Sequence, residues 1–557
     1  MKKVIACLLS VVLLVAVWIP AGAAVEPGVF GRVNDRIPTV LIAGDGDAIF
    51  VPDDTVEGGE RKVFAMGDFL SAKTDGLDKD AVYESIANVV QPYLKEGLLK
   101  NNFQPYYDAL EKEIGELFTE VRLDENGDPQ FGSRVSGWDG WVNWYNQNND
   151  NKGDKGFYDR EDYHFWYDWR LDPMLIAQQL HDYVQNVKRV TGAEKVSLIS
   201  SCLGSNVALA YLAQFDTDDF YGLAVDATLA NGAEFISESL SGGVKIDGAA
   251  IQRFLSDAAA IGWFSLPDFA NATVDLAIRS GLLDGVVKFT RATVYDKVVE
   301  GVTSAVALGA FFTMPCYWAC IAPEDYETAK LYVFGPEGSE KRQKYAGLIE
   351  KIDNYHEKVG LHTYELMQKA ADNGLRMCIV AKYGMQMIPI SQSREAVGDQ
   401  FVSINKATFG ATTSTVYSTL SDDYIAQREA QGKGKYLSPD KQIDASTAVF
   451  PDYTFFIKGA DHTRRSRTED EILYTCVTAD RQLTPDDFEW SQFMIYDRDN
   501  DVMHAMTEEN CHVESWPTDK EATYPTSFFG KLKAYFQSLS QWLRAFFAFL
   551  KSRNAEA

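Results

Sequence analysis

Lys195 to Ser205, KVSLISSCLGS, decides how this 557-residue chain is read. Lys195–Ile199 is a short, β-branched and apolar run of the kind buried in a parallel sheet. Val207, Ala208, Ala210, Tyr211 and Leu212 continue as a helix, so the chain must turn sharply across Ser200-Ser201-Cys202-Leu203-Gly204. A nucleophile presented on such a strand-to-helix bend needs small residues two places to either side, because the backbone there is crowded. Cys202, with Ser200 before it and Gly204 after it, meets that need. Ser201 would put Ile199 and Leu203 at the crowded places and is the weaker candidate. The plain alternative for Cys202 is a small buried thiol that only packs.

Outward from this segment, strand-like runs alternate with helical stretches. The pattern predicts an α/β chain: a mostly parallel sheet with helices on both faces. Thr39–Ala43 (TVLIA) ends in the turn Gly44-Asp45-Gly46-Asp47. Phe165–Trp169 leads through Arg170 into a helix from about Pro173 to Thr191, with Leu175, Ile176, Leu180, Tyr183, Val184 and Val187 mostly on one face. Tyr221–Val225, Met377–Tyr383 (MCIVAKY) and Tyr453–Ile457 (YTFFI) read as further strands. Residues 231–373 read as helix after helix, which predicts a large helical cap inserted between core segments 25–230 and 374–523. Gly137–Tyr163, rich in Asn, Asp, Gly and aromatic residues, predicts a long loop. Asp124-Glu125-Asn126-Gly127-Asp128 opens like a calcium loop, but Val135 stands where the closing Glu is needed, so a plain turn is expected. No metal or cofactor is implied.

The two ends carry their own signals. Lys2 and Lys3, the apolar run Val4–Ile19 and the small residues Ala21-Gly22-Ala23-Ala24 form an export leader, residues 1–24. The alternative is an uncleaved anchor, although the run is shorter than the roughly 20 residues of a spanning helix. The body is therefore expected to be secreted or attached at the cell surface. In the tail, 524–557, Phe528, Leu532, Tyr535, Leu539, Trp542, Phe546 and Phe549 recur at helical steps beside Lys531, Lys533, Arg544, Lys551 and Arg553. Such a helix either lies in a membrane interface or packs on the body or on a second copy of the chain. A net charge of −27 argues against nucleic acid as a partner, because phosphate binding needs a basic surface.

A thiol nucleophile needs a base and an acid that orients it. On an α/β sheet of this kind they follow the nucleophile in chain order, each from a loop after a late strand. Asp399, in Gly398-Asp399-Gln400, comes after MCIVAKY, and His462, in Gly459-Ala460-Asp461-His462, comes after YTFFI. The other six histidines stand in less suitable places. His462 then takes the thiol proton, Cys202 attacks an acyl carbonyl, and Asp399 fixes the imidazole. The oxyanion is assigned to the backbone N–H of Leu203 and to one from the loop after the first strand, for which Gly46 is chosen. A Gly-Asp loop is otherwise an ordinary turn, and His462 otherwise a surface histidine.

At these residues the chain resembles the lecithin:cholesterol acyltransferase family of α/β hydrolases. The most specific match is Tyr167-Asp168-Trp169-Arg170-Leu171-Asp172-Pro173, with further likeness at Gly44-Asp45-Gly46, Thr191–Gly204, Gly398-Asp399 and His462, and a looser one at Met314-Pro315 and Trp318–Pro323. The resemblance implies an α/β-hydrolase fold and a lipase, phospholipase or acyltransferase acting on lipid-like esters. One departure matters: the family has serine where Cys202 stands, which changes leaving-group and proton-transfer chemistry. The competing expectation is a hydrolase-fold protein that binds a lipid or cell-envelope ligand without turning it over.

Overall fold

The computed structural model describes residues 37–44, 48–64, 102–135, 162–244, 307–389, 391–463, 465–498 and 500–511, with single helical positions at 93, 96, 100, 250, 254, 257, 301, 304 and 305. The leader 1–24, Gly46, most of the stretch expected as a long loop, and the basic-aromatic tail 524–557 lie outside the described residues. None of the described helices is long and apolar enough to cross a membrane.

Eight strands make the central sheet: β1 (Thr39–Ile42), β2 (Asp162–Phe165), β3 (Val196–Ser201), β4 (Phe220–Asp226), β5 (Arg376–Tyr383), β6 (Thr454–Lys458), β7 (Phe493–Asp497) and β8 (Val502–Ala505). Their spatial order is β8-β7-β6-β5-β4-β3-β1-β2. Every neighbouring pair is parallel except the last, β7 with β8. All residues of β1 and β6 are buried, as expected for strands covered on both faces. Val40 and Ile42 point into one apolar core and Leu41 into the other, so helices on each face of the sheet have a surface to cover.

Helix α1 (Pro173–Thr191) packs on the first core and has clear stops at both ends. The Asp172 side chain accepts from the N–H of Met174, Pro173 takes the first turn, and Gly192 closes the helix in the left-handed conformation with φ 74°. Ile176, Ala177, Leu180, Tyr183, Val184 and Val187 face inward, whereas Leu175, expected with them, is 39% exposed. Helix α2 (Gly204–Phe215) follows β3 on the same face. The opposite face is covered by α3 (Arg467–Thr478), whose Ile472, Leu473, Cys476 and Val477 meet Ala224, Cys378 and Phe455 of the sheet.

The described part of 231–373 is helical, including Glu234–Ser241, Tyr326–Phe334, Ala346–Lys358 and Thr363–Asp372. These helices share the first core rather than forming a separate body. Asn206 of α2 donates to the carbonyl of Ala319 at 2.8 Å and to the Tyr355 hydroxyl at 3.2 Å, and Trp169 meets Tyr317 edge-on at 6.1 Å. Three features differ from the sequence expectation. The second strand ends at Phe165, where the sequence had only the beginning of an apolar run, and Tyr163, placed in the long loop, belongs to it. The sheet gains β7 and β8, and a smaller antiparallel sheet of Ile49–Pro52, Glu60–Phe64 and Arg134–Val135 forms beside it.

Candidate active site

The elbow is set by close backbone contacts. β3 ends at Ser201, Cys202 takes φ 52°, and α2 begins at Gly204. A positive φ is uncommon outside glycine and marks a turn that its surroundings must hold in place. Here the N–H of Cys202 donates to the Asp226 carbonyl at 3.0 Å, and the N–H of Ser205 donates to the Cys202 carbonyl at 3.1 Å. A Cβ at position 204 would lie 2.6 Å from the Ala43 carbonyl oxygen, so only glycine lets α2 start this close to the end of β1. A Cβ at position 44 would lie 2.8 Å from Cys202 Cβ and 3.1 Å from its sulfur, so the loop after β1 runs directly against the nucleophile candidate. Cys202 is 4% exposed.

Ser201 sits one place before the bend, and its hydroxyl is engaged. It donates to Asp226 Oδ2 at 3.2 Å and accepts from Arg465 Nη1 at 3.4 Å. Leu203 is the cap residue of α2, in the region whose N–H groups have no acceptor within the helix. The other sequence choice for an oxyanion donor, Gly46, lies outside the described residues, and Gly44 is the loop residue set against the sulfur.

Asp399 and His462 meet directly. Asp399 is fully buried in the loop after β5, and its Oδ1 accepts from the N–H groups of Phe401 at 3.1 Å and Val402 at 3.0 Å. Gln400, with φ 90°, bends the chain so that those amides turn back on the carboxylate. Asp399 Oδ2 accepts from His462 Nδ1 at 2.8 Å. A carboxylate only accepts, so Nδ1 carries a proton, and in the neutral ring Nε2 presents a lone pair. Nε2 is buried and has no hydrogen-bond partner among the described residues. The Phe401 ring lies 5.1 Å from the imidazole and limits its tilt.

Cys202, Asp399 and His462 thus follow β3, β5 and β6 and stand at the carboxyl edge of one parallel sheet. The loop carrying His462 reaches the elbow itself, since Arg465 donates to Ser201, the residue before Cys202. Asp461, beside His462, is held by Arg498 at 2.7 Å. Burial pushes its carboxyl up, but Arg498, the Thr463 hydroxyl and Lys382 together outweigh this and hold it below the usual carboxylate range.

The segment Tyr167–Pro173 is the joint behind the site. Tyr167 donates its hydroxyl to the Ala43 carbonyl at 2.7 Å, which fixes the loop that passes Cys202. Asp168 and Arg170 form a buried two-point ion pair, at 2.9 and 2.6 Å. Asp172 caps α1, and burial pushes its carboxyl up to about 6.

Sequence reasoning missed Asp226, Lys382, Arg465 and Glu469, a buried charge cluster beside the elbow. The available signal was Lys382 inside the apolar run MCIVAKY, since a lysine there needs a buried partner.

No family model and no curated protein sequence matches the chain. Among solved structures, a chain in the crystal structure of the Tle4-Tli4 complex is similar at 12% identity and a TM-score of 0.23, over 64% of this chain and 76% of that one. Neither activity nor partner is carried over from that likeness.

Proposed function

We propose that this chain is an exported α/β hydrolase of the lecithin:cholesterol acyltransferase type, which cleaves or transfers acyl groups of lipid-like esters through Cys202, His462 and Asp399. One conjunction supports this above all: a cysteine at φ 52° on a strand-to-helix bend, and a buried Asp–His pair at 2.8 Å on the same sheet edge. The strand order around β3 and the chain order nucleophile, acid, histidine suit that fold. His462 Nε2 takes the thiol proton while Cys202 Sγ bonds to the acyl carbon. The carbonyl electrons move onto oxygen, held by the Leu203 N–H and a donor from the loop after β1, with Gly46 as the assigned one. Collapse breaks the ester C–O bond, the leaving alcohol takes the proton from His462, and an acyl thioester remains for water or an alcohol to release.

The test is a panel of p-nitrophenyl esters of different chain length. Cys202→Ala and His462→Ala each lower kcat/KM by about a thousandfold or more, as removal of a triad member does elsewhere. Unchanged turnover in Cys202→Ala overturns the proposal, and loss confined to Ser201→Ala transfers the role to that hydroxyl. The tail 524–557 is proposed to hold the enzyme at a lipid surface, so truncation at Tyr524 should abolish co-sedimentation with anionic liposomes.

The burial of Cys202 and of His462, at 4% and 6% exposure, favours one second reading. In it, the same fold holds a lipid or cell-envelope ligand and does not turn it over. Stoichiometric lipid binding without hydrolysis of any ester in the panel would select it.

A further inference from the structure

On the face of the sheet covered by α3, five charged side chains are buried beside the elbow, and the proposed reaction uses none of them. Asp226 ends β4, Lys382 is the next-to-last residue of β5, Glu469 and Asp470 lie in the first turn of α3, and Arg465 precedes that helix. Lys382 Nζ lies 3.3 Å from Asp226 Oδ1 and 2.8 Å from Glu469 Oε1, and the three side chains are at most 2% exposed. Arg465 Nε lies 3.0 Å from Asp470 Oδ1.

What distinguishes the cluster is where its members are anchored. Asp226 grips the elbow twice, accepting the Cys202 N–H on its carbonyl and the Ser201 hydroxyl on its carboxylate. Lys382 belongs to the strand that leads into the Asp399 loop. Glu469 accepts the N–H of Ser466, and Arg465 reaches Ser201, so both routes end on the two residues that lie three and four places after His462. The nucleophile, acid and histidine segments are therefore tied through one ionic group. Stability alone does not call for ions here, because apolar side chains of similar volume fill such sites as well or better. Ions supply direction.

We propose that Lys382 is a positioning residue: by bridging Asp226 and Glu469 it fixes the elbow against the His462 loop, and so sets the Cys202 sulfur in line with the imidazole. This rests on the reading of Cys202 and His462 as the catalytic pair. The charge states fit. Burial pushes the Asp226 carboxyl up, but Lys382 and Arg465 outweigh it and hold the group below its ordinary value. Burial also pushes Glu469 well up, against the pull of Lys382 and with the help of Asp226. The other groups facing the cluster are Asp461, which Lys382 feels, His462 and Cys378, which interact with Asp226, Tyr474 beside Arg465, and His164, pushed down to about 4 by burial and by Arg465.

The test is made on the full chain with the pair Lys382→Met/Asp226→Asn, which removes the cation and the anion that grips the elbow together. Two readouts are taken: kcat and KM on p-nitrophenyl butyrate, and the pH profile of Cys202 alkylation by iodoacetamide. The expected result is a cooperative melt, an unchanged KM and a fall in kcat of about 10- to 100-fold, the scale of an ångström-level misplacement. The alkylation profile should move toward that of His462→Ala. Wild-type kcat and a wild-type profile in the folded pair would overturn the proposal. If the pair does not melt cooperatively, Glu469→Gln decides: a threefold or larger fall in kcat with the same profile shift supports it, and wild-type values on both overturn it. Cys202→Ala runs alongside. Turnover retained there removes the catalytic reading and this proposal with it, while turnover lost there beside a wild-type pair removes only the role of Lys382.

Discussion

One buried ionic group lies in the segment after β2 and another beside the elbow, and they are built differently. The Arg170 guanidinium makes five hydrogen bonds, to both oxygens of Asp168, to the Val121 carbonyl, and to the hydroxyl and carbonyl of Ser133. That matches the five donors of a guanidinium, so the group is closed and has one arrangement. In the Lys382 cluster, Asp226 Oδ1, Glu469 Oε1 and Asp470 Oδ1 lack a directed hydrogen bond among the described residues, though each lies within 3.3 Å of a cation. A closed group holds a scaffold together. A group with spare acceptors responds to its neighbours, and its disturbance should show in alignment more than in stability.

The largest expected effect lies on the closed side. Arg170→Met leaves the Asp168 carboxylate buried without its cation, and should cost about 3–5 kcal/mol in urea unfolding. A loss under about 1 kcal/mol would erase the contrast between the two groups. Asp172→Asn comes next. The Asp172 carboxyl, pushed up by burial from 3.8 to about 6, favours its protonated form in the fold. The stability it contributes is therefore complete below about pH 4 and lost as pH rises through 6, about 2–3 kcal/mol in all. Asparagine keeps the acceptor for Met174 and does not ionise, so the variant should equal the wild type at pH 4 and exceed it at pH 7.5. Equal stabilities at both pH values would show that Asp172 titrates as an exposed acid does. Tyr167→Phe is the smallest: removal of its bond to the Ala43 carbonyl should cost about 1 kcal/mol and lower kcat a few fold, as the loop beside Cys202 loosens. An unchanged kcat would separate this joint from the site.

How much of this was legible in the sequence depended on whether the signal was local. The bounds of α1 were written in Asp172-Pro173 and Gly192, and the elbow in the small residues around Cys202, because caps and turns act over a few positions. β7 and β8 were not legible. Phe493–Asp497 and Val502–Ala505 are short, and the second lies at the sheet edge with half-exposed residues that show no apolar period. The Asp399–His462 contact spans 63 residues and was reached only through the chain order of such sites. Lys382 and Glu469 lie 87 positions apart, and neither periodicity nor turn chemistry links them. The closeness of Gly44 to Cys202 was not legible for a related reason, since backbone proximity is a property of how β1 and β3 register.

The most direct measurement is mass spectrometry of the full chain, quenched in acid during steady-state turnover of p-nitrophenyl butyrate and digested. The account predicts a butyryl group on the peptide containing Cys202, released by neutral hydroxylamine and absent from His462→Ala. An acyl group on Ser201, or continued turnover with no acyl group on either residue, would contradict it.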